Sequence, residues 1–400
     1  MNILFLHRIW PSYGGGETVT KCLANELVKR GHHVHVLYTK KSSQDDPNLD
    51  SNIVQTYIPN VNYDEKSSEF FVNKDMAHHV NTFVDDYIVE HQIQIIINQW
   101  WPMEFLMNLK YRHNVKIIKC LHMDPDTRKV LDFSGVKGMI IKLMLPLYRI
   151  VERRKHIYSL DKYVANSDLL VFLAPSFLKF YRDIRTNNAI IEKKTDFVYN
   201  PLVYDVKIED ENFLDKKDNT VLFVGRLLEK HKQVSRILKI WQKIEKDGKF
   251  SDWNLQIVGD GVDRGLYENM ICSMGLKHVT MEGFKNPLPY YQKASIFLMT
   301  SAYEGFPMSL IESQQNGVVP IAMDSYSSLH DIIDNGDNGI IVADNDIDGF
   351  TKELKRLMQD RELRKDMAKH GFCSCDRYKI DIIVNKWESI FKKLLSNKQF

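Results

Sequence analysis

Short aliphatic runs alternate with amphipathic stretches along the first half of the chain, and the same alternation starts again near residue 219. "NILFLHR" gives way to "TVTKCLANELVKRGH", then to "HVHVLYT", and later come "IQIIIN", "VKIIKCLH" and "LLVFLAPS". The apolar period switches between two and 3.6 residues as strand and helix patterns trade places. Such a pattern predicts right-handed crossovers and a mostly parallel, doubly wound sheet, because strands covered on both faces read as nearly unbroken aliphatic runs.

After the polar, turn-rich "FVYNPLVYDVKIEDENFLDKKDN" the pattern resumes with "TVLFVGR", "NLQIVGDG", "HVTMEGF", "SIFLMTS", "VVPIAM" and "NGIIVA". The expectation is an α/β chain of two Rossmann-like domains, 1–205 and 206–378. A terminal helical stretch, 379–400, has Ile383, Trp387, Ile390, Phe391 and Leu394 on one face and is expected to pack back on the first domain. Doubly wound sheets bind ligands at the carboxyl ends of their strands, so a ligand held by both domains is expected in a cleft between them.

A length of 400 residues suits two domains better than one core. With 44% hydrophobic and 26% charged residues the composition is globular. The net charge of +2 gives no global field for nucleic acid, so attraction to anions rests on local placement. Five scattered cysteines, Cys22, Cys120, Cys272, Cys373 and Cys375, lack zinc-site spacing and read as reduced thiols of a cytoplasmic protein. "MNILFLHRIW" lacks the apolar stretch of a signal peptide, and no window approaches the ~18 to 20 apolar residues of a spanning helix.

Chemistry concentrates in a few places. In "SAYEGFPMSLIESQQNG" Pro307 suits a helix start and Gly317 a helix end, placing Glu304 in a strand-to-helix loop and Glu312 inside the helix. Glu304 is placed to accept hydrogen bonds from sugar hydroxyls and Glu312 to hold the two hydroxyls of a ribose. In "VLFVGRLLEKHKQ" Arg226 and Lys232 follow a strand and are placed to clamp a diphosphate. Gly14 to Gly16 lie between the first strand and first helix, where backbone amides approach a phosphate without a Cβ in the way. His122 follows the strand "VKIIKC" and is placed for a substrate hydroxyl. Each has a plainer reading: solvated glutamates, a solvated basic loop, a flexible turn, a structural histidine.

Other patterns exclude. The glycine run is neither G-x-G-x-x-G nor a P-loop, and "VLYTKK" lacks the acidic residue that holds an NAD ribose, which disfavours a dehydrogenase. "IVGDGVDRG" (Gly259, Gly261, Gly265) misses the dinucleotide spacing by one residue, and Asp124 with Asp126 is too short a motif to indicate a metal. No metal site is expected. Residues 136–160 mix apolar residues with Lys137, Lys142, Arg149, Arg153, Arg154 and Lys155. They read either as a peripheral contact with an anionic membrane or as a core-packed helical pair broken at Pro146.

Taken together, the Gly-Arg-Leu segment, the run "GFKNPLPYYQKASIFLMTSAYEGFPMSLIE" and the N-terminal "GGGE" resemble the retaining glycosyltransferases of the GT-B fold, specifically glycosyltransferase family 4. The likeness is continuous from about 219 to 345 and confined to "GGGE", His122 and "YNPL" before that. It implies two Rossmann-like domains facing across a cleft and metal-independent transfer of a hexose from a nucleotide diphosphate, UDP favoured over GDP. The acceptor would be a glycan or lipid-linked glycan, in cell-surface polysaccharide synthesis, at the inner face of a membrane.

By that likeness Glu304 and Glu312 are the family's paired glutamates, on donor sugar and ribose. Arg226 and Lys232 meet the diphosphate, Gly15 and Gly16 the phosphate from the opposite domain, and His122 the sugar. Gly305, Phe306 and Pro307 are expected on the donor as well. The spacer before Lys232 is one residue longer than in many members, which makes His231 a second candidate for the cation. The alternatives are a nucleotide-sugar epimerase or hydrolase of the same fold, and a non-catalytic partner subunit.

Overall fold

The computed structural model describes residues 1–11, 15–42, 48–61, 72–126, 144–186, 188–206 and 213–396. The chain divides into two compact units: Met1–Pro125, Val151–Val203 and Tyr378–Phe400 in one, Asp126–Ile150 and Tyr204–Arg377 in the other. Residues 126–150, expected within 1–205, group with the second unit, and most of that stretch lies outside the described residues.

In the first unit seven parallel strands are ordered β3-β2-β1-β4-β5-β6-β7. They are β1 Asn2–Trp10, β2 His33–Lys41, β3 Val54–Tyr57, β4 Ile95–Asn98, β5 Lys116–Leu121, β6 Leu169–Phe172 and β7 Thr195–Phe197. The chain starts at the centre, runs to the β3 edge and returns past β1 to β4, so the order reverses between β1 and β4. Ile95, Ile96 and Ile97 are fully buried, as a central parallel strand requires. The sequence expectation lacked β3 and β7, edge strands of four and three residues with no aliphatic run.

In the second unit six parallel strands are ordered β10-β9-β8-β11-β12-β13. These are β8 Thr220–Val224, β9 Asn254–Val258, β10 Val279–Gly283, β11 Ile296–Met299, β12 Val319–Asp324 and β13 Ile340–Ala343. Here the reversal falls between β8 and β11. Ligands of doubly wound sheets bind beyond the carboxyl ends of the strands flanking such a reversal.

The helix Ile380–Ser396 buries Ile383, Val384, Trp387, Ile390 and Phe391 in the first unit. Arg30, just past the helix Gly15–Lys29, pins it by donating to Asp381 (2.9 Å), Asn385 (2.6 Å) and Glu388 (3.3 Å). Lys386 lies 3.5 Å from the Phe197 ring centre and pairs with Asp196.

The helix expected to follow the glycines begins at Gly15, so Gly15 and Gly16 form its first turn; Gly14 lies outside the described residues. One helix, Leu145–Asn166, runs on from Pro146, which sits in the first turn where its missing amide hydrogen has no helical partner to lose. The earlier half of the expected helical pair lies outside the described residues.

Candidate functional site

In the second unit the chain leaves β8 at Val224 and passes through Gly225, Arg226 and Leu227. Backbone bonds from Gly225 N to Val258 O (3.0 Å) and from Leu227 N to Asp260 O (2.9 Å) lay this loop against the one after β9. Such close approach explains the second glycine motif. A Cβ on Gly259 would stand 1.9 Å from the Gly225 carbonyl oxygen, and one on Gly261 would stand 2.3 Å from that of Leu227. "IVGDGVDRG" is thus a packing device for the Arg226 loop. The Arg226 side chain projects exposed, with no hydrogen bond or ion pair among the described residues.

The short helix Glu229–Lys232 ends at Gln233, whose φ of +47° turns the chain into the helix Val234–Asp247. His231 and Lys232 are successive residues of the short helix and so point about 100° apart. The Lys232 ammonium donates to Glu304 Oε1 at 2.5 Å, both side chains being mostly buried. His231 bonds through Nε2 to the Tyr303 hydroxyl, and burial, reinforced by Lys230, Lys232 and Arg226 against the opposing Glu304, pushes its pKa down. Of the two candidates, Lys232 is the one brought to Glu304, and the neutral ring of His231 braces the adjoining tyrosine.

Glu304 lies in the loop after β11. The Ala302 amide donates to His231 O (2.7 Å), and the Thr300 hydroxyl to the carbonyls of Lys232 (3.2 Å) and Gln233 (3.0 Å), so hydrogen bonds join the loops after β8 and β11. Gly305, Phe306 and Pro307 are buried, and the Gly305 carbonyl accepts from Ser328 Oγ at 2.5 Å. Pro307 precedes the helix Met308–Gln315, and Gly317, φ +65°, follows it. Glu312 is buried in that helix, its Oε2 accepting from the Tyr291 hydroxyl at 3.1 Å. Burial raises its pKa to about 7, and the Tyr291 bond pulls the other way.

Arg226, Lys232, Glu304 and the Glu312 helix thus follow the two strands that flank the reversal. Two cations beside a helix start, together with two carboxylates, are the kinds of group that bind a phosphorylated, hydroxyl-rich ligand.

In the first unit Gly16, His122 and one residue the sequence reading missed come together. The Trp100 indole occupies the place of a Gly16 Cβ, with Cζ2 2.7 Å from where that atom would be. The same ring stacks on His122 at 4.4 Å, and Arg8 lies 5.4 Å from its centre. Among the described residues, nothing lies within 4 Å of where a Gly15 Cβ would be. Gly16 therefore has a packing reason to be glycine as well as the phosphate reason read from sequence. His122 Nε2 lies 2.5 Å from Gln99 Oε1; an amide oxygen only accepts, so Nε2 carries the proton and Nδ1 remains an acceptor. Burial and the Lys119 charge lower the His122 pKa to about 3, which keeps the ring neutral.

Trp100, Gln99, Tyr291 and Tyr303 carried no motif of their own; the strand-end position of "NQWW" and the aromatic "YEG" were the available signals. Among the described residues no group of three or more His, Cys, Asp or Glu is placed to hold a metal ion, and the five cysteines are free.

Two family models match the chain in succession: "Glycosyltransferase Family 4" over residues 13–171 and "Glycosyl transferases group 1" over 206–372. An amylovoran biosynthesis glycosyltransferase of Erwinia amylovora is 33% identical over 44% of this chain and 48% of its own length. A Campylobacter jejuni enzyme named as an α-1,4-N-acetyl-D-galactosaminyltransferase acting on an undecaprenol-linked glycan is 29% identical over 49% of this chain and 54% of its own. The chain thus matches about half the length of each of these two relatives. Among solved structures, TarM of S. aureus in complex with UDP superposes with a TM-score of 0.73 at 12% identity, over 98% of this chain and 99% of that one, which shows the shared fold. With two doubly wound parallel sheets and both family models matched in chain order, this chain belongs to the family 4 glycosyltransferases of the GT-B fold.

Proposed function

We propose that the protein transfers a sugar from a nucleotide diphosphate, UDP above GDP, to a glycan or lipid-linked glycan with retention of anomeric configuration and without a metal. The observation that carries this reading is the placing of Arg226, the Lys232–Glu304 pair and Glu312 beyond the strands that flank the sheet reversal. In it Arg226 and Lys232 take the diphosphate, Glu304 the donor sugar and Glu312 the ribose. Gly305, Phe306 and Pro307 line the donor's approach to the helix start. Gly15, Gly16 and His122, in the first unit, are assigned to phosphate and sugar by the family likeness alone.

As the bond from the anomeric carbon to the diphosphate oxygen breaks, negative charge gathers on the leaving group, where fixed cations stabilise it most. The acceptor oxygen forms the new bond on the same face, and its proton passes to the departing phosphate. A covalent route through a carboxylate is not part of this reading, because Glu304 is held by Lys232 and Glu312 is assigned to the ribose, away from the anomeric carbon. UDP in the TarM complex and the lipid-linked glycan in the Campylobacter enzyme's name support the donor and acceptor classes.

The test is turnover of UDP-sugars with undecaprenol-linked glycans in the presence of a chelator, the product's anomeric configuration being read by NMR. Acceptor-dependent UDP release and a retained anomer are expected. Release or sugar isomerisation that ignores the acceptor would favour the hydrolase or epimerase reading.

A membrane contact belongs to the same reading. On the helix Leu145–Asn166 the apolar Leu147, Ile150, Val151 and Tyr158 are exposed beside exposed Arg149, Arg153, Arg154 and Lys155, a mixture suited to an anionic bilayer surface. No helix of the described residues is long and apolar enough to cross a membrane. Free thiols fit the cytoplasmic side of that membrane.

A further inference from the structure

Glu312 has one carboxylate oxygen occupied and one open. Oε2 accepts from the Tyr291 hydroxyl, while Oε1 has no hydrogen-bond partner among the described residues. Tyr291 is fully buried in the helix Leu288–Lys293, and its hydroxyl also lies 3.4 Å from the Ser309 carbonyl, in the first turn of the helix that bears Glu312. A buried hydroxyl held at two points of one helix fixes the side chain beside it far more tightly than solvent would.

The second support lies at the other end of that helix. The Lys217 ammonium donates to the Tyr291 carbonyl at 2.8 Å and to the Asn316 carbonyl at 2.6 Å. Asn316 closes the helix Met308–Gln315 and donates its side-chain amide to the Glu312 carbonyl at 2.9 Å. The Lys217 amino group therefore ties the helix carrying Tyr291 to the carbonyl end of the helix carrying Glu312. Burial lowers its pKa to about 7, against the pull of Asp218, and the dipole of the Glu312 helix favours its protonated form at that end. Nothing in the proposed chemistry uses Lys217 or Tyr291 directly.

We propose that Tyr291 and Lys217 are positioning residues that present the open oxygen of Glu312 to a ribose hydroxyl, and so set the preference of the site for ribonucleotides. The inference rests on the reading that Glu312 takes the ribose. Tyr291 turns the carboxylate; Lys217 fixes the distance between the two helices. A nucleotide lacking the 2′-hydroxyl leaves that oxygen unmet and gains nothing from the alignment.

The experiment compares the affinities of UDP and 2′-deoxy-UDP by calorimetry for the wild-type protein and for Tyr291→Phe, Lys217→Met and Lys217→Arg. Wild type is expected to prefer UDP by about ten- to a hundredfold, the range of a hydrogen bond to a charged acceptor. In Tyr291→Phe and Lys217→Met the preference falls at least about fivefold while 2′-deoxy-UDP binds within about twofold of wild type, and Lys217→Arg restores it in part. An unchanged preference in both variants, or equal weakening of both nucleotides, overturns the positioning role alone. A wild-type protein that binds UDP but shows no preference overturns the ribose reading of Glu312, and this inference with it.

Discussion

The Lys232 ammonium stands 2.5 Å from Glu304 Oε1, so the cation proposed for the diphosphate and the carboxylate proposed for the sugar are each other's partner. A ligand that uses both must compete with this pair. The two substitutions therefore diverge: Lys232→Met should weaken UDP about ten- to a hundredfold by removing a charged donor. Glu304→Gln should leave UDP binding unchanged or tighter, because it frees Lys232, yet abolish sugar transfer. Calorimetry with UDP together with a transfer assay separates them; equal loss of UDP binding in both would contradict the assigned roles.

Burial raises the Glu312 pKa from 4.5 to about 7. The folded state then holds this proton more tightly than the unfolded chain, so the group's contribution to stability is full below pH 4.5 and is lost as pH rises through about 7. Ribose hydroxyls are held by the ionised form, so UDP affinity moves the opposite way. It should be about tenfold weaker at pH 6 than at pH 8, one pKa unit being tenfold in the charged fraction. The nucleotide's own phosphate also titrates, so the comparison is with Glu312→Gln, which should lose this part of the pH dependence.

Gly259 holds φ +140° with the Gly225 carbonyl where a Cβ would go, whereas a Cβ on Gly265, the second residue of the helix Arg264–Met274, would meet nothing within 4 Å among the described residues. Gly259→Ala should cost about 3 kcal/mol or more and displace the Arg226 loop, weakening UDP as well. Gly265→Ala should stabilise the protein by roughly 0.5 to 1 kcal/mol through helix propensity. Chemical denaturation of both variants tests the packing role assigned to this motif.

Reversing charge at Arg153 and Arg154, both exposed on the helix with Leu147, Ile150, Val151 and Tyr158, should reduce sedimentation with anionic vesicles, most clearly at low salt. Unchanged sedimentation of Arg153→Glu/Arg154→Glu would remove the membrane from the account.

The doubly wound sheets were legible because buried parallel strands such as "IIIN" and "TVLFV" write their burial directly as aliphatic runs. Edge strands β3 and β7 were not, because half-exposed residues such as Val54, Gln55 and Asp196 carry no such signature. In the site, Glu304, Glu312 and Arg226 stood out through their places relative to strand ends, proline and glycine. Their supports did not: Tyr291 reaches Glu312 across 21 residues and Lys217 reaches Asn316 across 99, contacts that no local pattern encodes. The choice between His231 and Lys232 turned on contacts across 72 residues, Lys232 with Glu304 and His231 with Tyr303, which no local pattern encodes.

The most direct measurement is a calorimetric titration of the protein with UDP in the presence of a chelator, repeated with Arg226→Ala. The account predicts one UDP bound per chain without metal, and an affinity at least about tenfold weaker in the variant, whose exposed guanidinium is proposed to meet the diphosphate. No binding of UDP, or equal binding by the variant, would contradict a nucleotide-diphosphate site beyond β8 and β11.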